Sequence, residues 1–143
     1  MARILIADDD PELLKMLGLL LSEHEVWLAH SGFEALEFYA RARQSAPFEL
    51  MIFDVAMLDM TGFQLEEAIR AAGDLAARVV FLSGHFGGRA QEEVFAANIE
   101  RSVGVWTKPI EVAQFREGVR RILECENSGA LPHPIFADDS EPS

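Results

Sequence analysis

The sequence predicts an α/β fold, a doubly wound sheet of five parallel strands with helices on both faces. Three observations carry this. Five short apolar runs alternate with five stretches of helical periodicity between Ala2 and Glu126, and strand–helix alternation implies a parallel sheet covered on both sides. The central run, Leu50 to Asp54, is short, apolar and bounded by Pro47 and Gly62, which reads as a buried strand. Four of the five runs end in polar residues, as strands do when their carboxyl ends line the ligand crevice of an open sheet.

In chain order, Ala2 to Ala7 is the first strand. Asp10 caps the helix that follows and Pro11 suits its first turn; Leu13, Leu14, Leu17, Leu20 and Leu21 recur at helical spacing. Glu25 to Ala29 is the second strand. Ser31-Gly32 turns into a helix over Phe33 to Gln44, with Phe33, Leu36, Tyr39 and Ala40 expected inward. The third strand ends at Asp54, and a third helix spans Gln64 to Ala72, stopping near Gly73. Arg78 to Leu82 is the fourth strand, followed by Ser83 and the glycine-rich loop Gly84 to Gly88. A weaker fourth helix covers Arg89 to Ile99, and the fifth strand runs from Val103 to Thr107, before Lys108-Pro109. The last helix, Glu111 to Glu126, places Val112, Phe115, Val119, Ile122 and Leu123 on one face. Residues 127–143 hold three prolines, three acids and no Lys or Arg. Without periodicity they read as a disordered tail, with a short partner-binding segment around Ile135-Phe136 as the functional alternative. The expected division is thus one domain over 1–126 and a tail over 127–143, with no internal repeat and no glycine pattern of a dinucleotide fold.

The length, 143 residues, suits one domain, and half the residues are hydrophobic, enough for a sizeable core. No run approaches the roughly 18 apolar residues of a membrane span, and the N-terminus lacks the apolar region of a signal peptide, so a cytoplasmic protein is expected. The single cysteine, Cys125, cannot form an internal disulfide and reads as a small residue on the last helix. A formal charge of −12, from 24 acids against 12 bases, argues against nucleic acid and anionic membranes as direct partners. Ten of the twelve bases are Arg; only Lys15 and Lys108 are Lys.

Asp8 and Asp9 follow the first strand, Asp54 ends the third, Ser83 follows the fourth and Lys108 the fifth. Each has an ordinary explanation alone: a solvated helix start, a turn, a surface lysine. If strands one, three, four and five are neighbours, all converge on one crevice. Three crowded carboxylates repel and raise one another's proton affinity. A hard divalent cation relieves that conflict, and oxygen ligands suit Mg²⁺, which keeps waters for an incoming phosphate. Lys108 then offers a positive charge to phosphoryl oxygens and Ser83 a hydrogen bond. Asp54 becomes a carboxylate nucleophile able to form an aspartyl phosphate.

These stretches, Ile4 to Asp10, Phe53 to Gly62, Val79 to Gly84 and Trp106 to Pro109, closely resemble the receiver domain of bacterial two-component response regulators over Ala2 to Glu126. The resemblance implies strand order 2-1-3-4-5, a flavodoxin-like arrangement. It implies that Asp54 accepts a phosphoryl group from a phosphohistidine on a sensor kinase or phosphotransfer protein and that the domain then switches conformation. It assigns Mg²⁺ to Asp9 and Asp54, to Asp8 through water, and to the Ala56 carbonyl. Ser83 and Lys108 become the phosphoryl partners and Lys108-Pro109 a cis bond. Such a domain is a phosphoacceptor with self-phosphotransfer and autodephosphorylation chemistry, not an enzyme acting on other substrates. His85, two residues after Ser83, is a candidate for orienting the hydrolytic water.

The sequence departs from the family pattern in three places. Leu58 stands where Pro is usual, the interval from Ser83 to Lys108 is longer, and Val105 replaces the switch aromatic. Trp106 cannot replace that ring, because successive strand residues face opposite ways; the loop containing Phe86 is an alternative switch. Two other functions compete. One is a non-phosphorylated interaction module on the same fold. The other is a haloacid-dehalogenase-like phosphatase using Asp8 and Asp10, which leaves Asp54 without a role. No output domain is evident after the last helix, so a free-standing carrier and an excised N-terminal domain are both consistent with the sequence.

Overall fold

The computed structural model describes residues 1–84, 104–124 and 135–136. The expected helix over 89–99, His85, Phe86, Cys125 and most of 127–143 lie outside these residues. The elements are β1 (Arg3–Ala7), α1 (Pro11–Leu20), β2 (Glu25–Ala29), α2 (Gly32–Arg43), β3 (Leu50–Asp54), α3 (Gly62–Ala71), β4 (Val79–Ser83), β5 (Gly104–Thr107), α4 (Val112–Glu124) and β6 (Ile135–Phe136).

All strands pair in parallel, in the order β2-β1-β3-β4-β5-β6. The first five follow the expected 2-1-3-4-5 order. The sixth lies within the stretch read from the sequence as a tail, residues 127–143, of which only 135–136 are described. Ile135 and Phe136 pair with Gly104 and Val105 on the outer edge of β5. The physical reason is local: a β-branched and an aromatic residue favour extended backbone, and an edge strand presents unpaired N–H and C=O groups.

Helix starts follow the side chains that cap them. The Asp10 carboxylate accepts from the Glu12 and Leu13 amides, with Pro11 in the first turn; Ser31 accepts from Glu34; Thr61 and Gln64 form a reciprocal capping box on α3. After α3, Gly73 takes a left-handed φ of +106°, a conformation that costs any residue with a Cβ.

Strand alternation divides the apolar residues into two cores. Leu5, Met51, Phe53, Val79, Phe81 and Val105 face the side that carries α2 and α3. Ile4, Ile6, Ile52, Val80, Leu82 and Trp106 face the side that carries α1 and α4. With both faces covered, β3 and β4 are buried along their whole lengths. The helix stripes need two corrections. On α2 the buried stripe is Ala35, Tyr39 and Ala42, whereas Phe33 is 65% exposed and Ala40 also faces solvent. The buried stripe begins at Gly32, which leaves Phe33, the next residue, off that face. On α4, Val112 in the first turn is exposed as well, while Phe115, Val119 and Ile122 are buried.

Candidate functional site

The carboxyl ends of β1, β3, β4 and β5 meet in one crevice of about 300 Å³, lined by Asp8, Asp9, Asp10, Asp54, Val55, Ala56, Gly84 and Lys108. Asp8 is fully buried and Asp54 is 4% exposed. The Asp8 amide donates to the Ala29 carbonyl at 3.1 Å, and Asp8 Oδ1 accepts from the Asp10 amide at 2.9 Å. The Lys108 amide donates to the Ser83 carbonyl at 2.8 Å, and the Lys108–Pro109 bond is cis. The ammonium reaches back between two acids, with Nζ 3.0 Å from Asp8 Oδ2 and 3.2 Å from Asp54 Oδ1. Ser83 ends β4, buried, one residue before the lining Gly84. Asp8, Asp9, Asp54, Ala56 and Lys108 thus line one crevice, with Ser83 adjacent to it in the chain.

The loop from β3 to α3 closes over this crevice. Ala56 and Thr61 form an isolated antiparallel bridge, and the Gly62 amide donates to the Val55 carbonyl at 2.9 Å. Two contacts escaped the sequence reading. The Leu58 amide donates to Asp9 Oδ2 at 3.1 Å. The two oxygens of Asp59 accept from the Gly32 and Phe33 amides at 3.0 and 2.9 Å, at the start of α2. No linear signal marks Asp59: its partners are 27 and 26 residues away, and only the parallel packing of β1 between β2 and β3 brings them close.

Charge dominates the chemistry. Burial, then the neighbouring Asp8 charge, pushes the Asp54 carboxyl up to about 6 despite Lys108. Burial also raises Asp8, against the opposing Asp10 amide and Lys108. For Lys108, burial alone would lower proton affinity, but the contacts with Asp8 and Asp54 outweigh it and its pKa is raised. One ammonium thus faces two buried carboxylates, an arrangement that leaves uncompensated negative charge in a buried place.

A cation fits the donor set. Asp8, Asp9 and Asp54 each offer an oxygen, all within 4.8 Å of one another. Asp8 Oδ2 is buried and has the Lys108 ammonium as its ion-pair neighbour at 3.0 Å. Three hard oxygens around one point suit a small divalent ion rather than a soft metal.

Comparison with known families matches residues 4–120 to the response regulator receiver domain. The chain belongs to that family. Among curated relatives it is 28% identical over 143 residues to the transcriptional regulatory protein KdpE of Mycobacterium tuberculosis, covering 98% of this chain and 59% of that protein. It is 33% identical over 125 residues to the transcriptional regulatory protein GlrR of Escherichia coli, covering 86% of this chain and 26% of that protein. The chain therefore spans less than two thirds of the curated relatives it matches. Among solved structures, the chemotaxis response regulator CheY4 of Vibrio cholerae superposes with a TM-score of 0.68 at 29% identity, covering 85% of this chain and 98% of that one.

The receiver match over residues 4–120 leaves the phosphatase reading without support. Val105 is buried among the α2/α3-side residues and Trp106 among the α1/α4-side ones. The Trp106 ring stacks edge-on against Phe115 at 5.1 Å. It lies on the wrong face to stand in for the missing switch aromatic. Among the described residues no helix is long and apolar enough to cross a membrane.

Proposed function

We propose that this receiver accepts a phosphoryl group on Asp54 from the phosphohistidine of a sensor kinase or a histidine phosphotransfer protein, in the cytoplasm, with Mg²⁺ as cofactor. The observation that supports it most is the placement of Lys108 Nζ within 3.2 Å of both Asp8 and Asp54, beside three convergent carboxylates. An Asp54 oxygen attacks phosphorus; the new P–O bond forms as the P–N bond breaks, and the imidazole leaves with a proton. Asp54 must be ionised to attack, and Lys108 favours that form. After transfer Lys108 and the Ser83 hydroxyl are the donors for phosphoryl oxygens. Asp8, Asp9, Asp54 and the Ala56 carbonyl would hold Mg²⁺, which when bound neutralises charge on the transferring group. The chain's only substrate is its own phosphodonor, so it acts as a signalling phosphoacceptor rather than as an enzyme on other molecules.

The test is incubation with acetyl phosphate and Mg²⁺ followed by intact-mass and peptide analysis. One phosphoryl group on Asp54, absent in Asp54→Asn and in excess chelator, is expected. No label under any condition would instead favour a non-phosphorylated interaction module.

A further inference from the structure

We infer that Leu58 and Asp59 form a strap that positions Asp9 for the cation by tying it, through the main chain, to the start of α2. The inference rests on the reading of Asp9 as a cation ligand. Three hydrogen bonds in series make the strap. Asp9 Oδ2 accepts from the Leu58 amide at 3.1 Å. The next residue, Asp59, places both carboxylate oxygens on the Gly32 and Phe33 amides. Those amides belong to the first turn of α2, where N–H groups lack intrahelical partners and the helix dipole favours an anion. Although burial opposes it, these backbone donors hold the Asp59 carboxyl below the usual range, so the anchor stays charged whenever the crevice acids are.

The Leu58 side chain takes no part, being 95% exposed. What matters is its amide hydrogen. Pro at this position would have no N–H to give, whereas Leu58 supplies Asp9 with that donor. A carboxylate that accepts a backbone N–H is held in one orientation by it. It also keeps free lone pairs on both oxygens, so the bond fixes the Asp9 rotamer without consuming its capacity as a ligand. Asp59 in turn anchors the loop: its two hydrogen bonds to the start of α2 hold Leu58 in place. Asp59 is thus a positioning residue, acting on Asp9 through Leu58.

The test uses the full chain and Mg²⁺ alone, without phosphodonor, by titration calorimetry, with amide exchange at Gly32 and Phe33 as the report on the anchor. Asp59→Ala and Leu58→Pro should each weaken Mg²⁺ by roughly tenfold, the usual effect of losing a group that orients a metal ligand. Leu58→Ala keeps the amide and should bind as wild type does. Asp59→Asn keeps one carbonyl acceptor and should fall between; it carries the test if Asp59→Ala does not fold. A merely structural Asp59 would lower the melting temperature and speed exchange at Gly32 and Phe33 while leaving Mg²⁺ affinity within about twofold, and that result overturns the strap alone. Equal affinities for Leu58→Pro and Leu58→Ala overturn it as well. A wild-type chain that binds no Mg²⁺ at millimolar concentration overturns the metal reading and the strap with it.

Discussion

A Cβ on Gly62 would stand 2.5 Å from the Asp54 carbonyl oxygen and 3.3 Å from Phe53 Cβ, so the first residue of α3 lies directly against the backbone of Asp54. The obstructing atoms are main chain at the end of a fully buried strand, which cannot swing away. Gly62→Ala should therefore destabilise by about 1–3 kcal/mol, the usual cost of overpacking, even though Ala is the better helix former by about 1 kcal/mol. It should also slow acetyl phosphate labelling, because Asp54 or the loop must move. Gly73→Ala is the control: its φ is +106° but a Cβ there meets nothing, so it should lose stability without changing labelling. Urea denaturation and labelling rates on both variants check this, and a Gly62→Ala protein as stable and as reactive as wild type would refute it.

The pH dependence of stability follows from Asp54. Its carboxyl is raised from 3.8 to about 6 by burial and by Asp8, so between these values the folded state holds a proton that the unfolded state has released. The resulting stability is fully present below about pH 4 and is lost as pH rises through about 6; Asp8, raised as well, acts in the same direction. In metal-free solution Asp54→Asn should therefore raise the melting temperature at pH 7, and its advantage should shrink toward pH 4. Saturating Mg²⁺ should narrow the gap at pH 7 by stabilising wild type selectively. Parallel curves for the two proteins from pH 4 to 7 in chelator would count against it.

How far the sequence reached depended on the range of the interaction involved. Element type followed from local periodicity, and the N-caps Asp10, Ser31 and Thr61 sit within a turn of what they cap. The crevice was legible because Asp8, Asp9, Asp54, Ser83 and Lys108 all stand at strand ends, and a parallel sheet puts such ends on one side. Phe33 misled because the inward position of that first turn belongs to Gly32, which has no apolar side chain to mark it. Asp59 and the Leu58 amide were invisible because their partners are distant in sequence, and a backbone N–H carries no residue signature. Ile135–Phe136 stands out in the sequence only as a short apolar segment, because two residues show no strand periodicity.

Tyr39 offers a direct spectroscopic check, since it is the only tyrosine in the chain. Burial raises its hydroxyl to about 12, and the hydrogen bond to Asp74 adds to the effect. The phenol donates to Asp74 Oδ2 at 2.6 Å, while Asp74 Oδ1 accepts from the Ala76 and Ala77 amides. This ties α2 to the turn before β4. Phenolate absorbance should therefore appear near pH 12 in the folded protein rather than near the ordinary value of about 10. Stability from this group is complete below pH 10 and lost as pH rises through 12. Tyr39→Phe should cost about 1–2 kcal/mol for a hydrogen bond to a charged group, most of it absent in an Asp74→Ala background. A phenolate transition near 10 with the fold intact would break the argument.

Val105 decides how the domain can report its state. It is 5% exposed within the core shared by Phe53, Phe63 and Phe81, and one branched side chain with a stiff χ1 cannot sweep the volume of a rotating ring. On the phosphoacceptor reading, any signal passing beyond the crevice then moves by backbone shifts rather than by a two-state side chain at this position. Val105→Ala should remove packing worth about 1–3 kcal/mol, yet keep both phosphorylation at Asp54 and the phosphorylation-dependent change in amide exchange. Val105→Phe, which restores a ring, must fit into a packed core and should cost a similar amount through overpacking unless the surrounding chain gives way. Exchange measured by mass spectrometry, with and without acetyl phosphate and Mg²⁺, separates the possibilities. If Val105→Ala folds, takes up the phosphoryl group and shows no exchange response, Val105 is itself the switch and the backbone route is wrong.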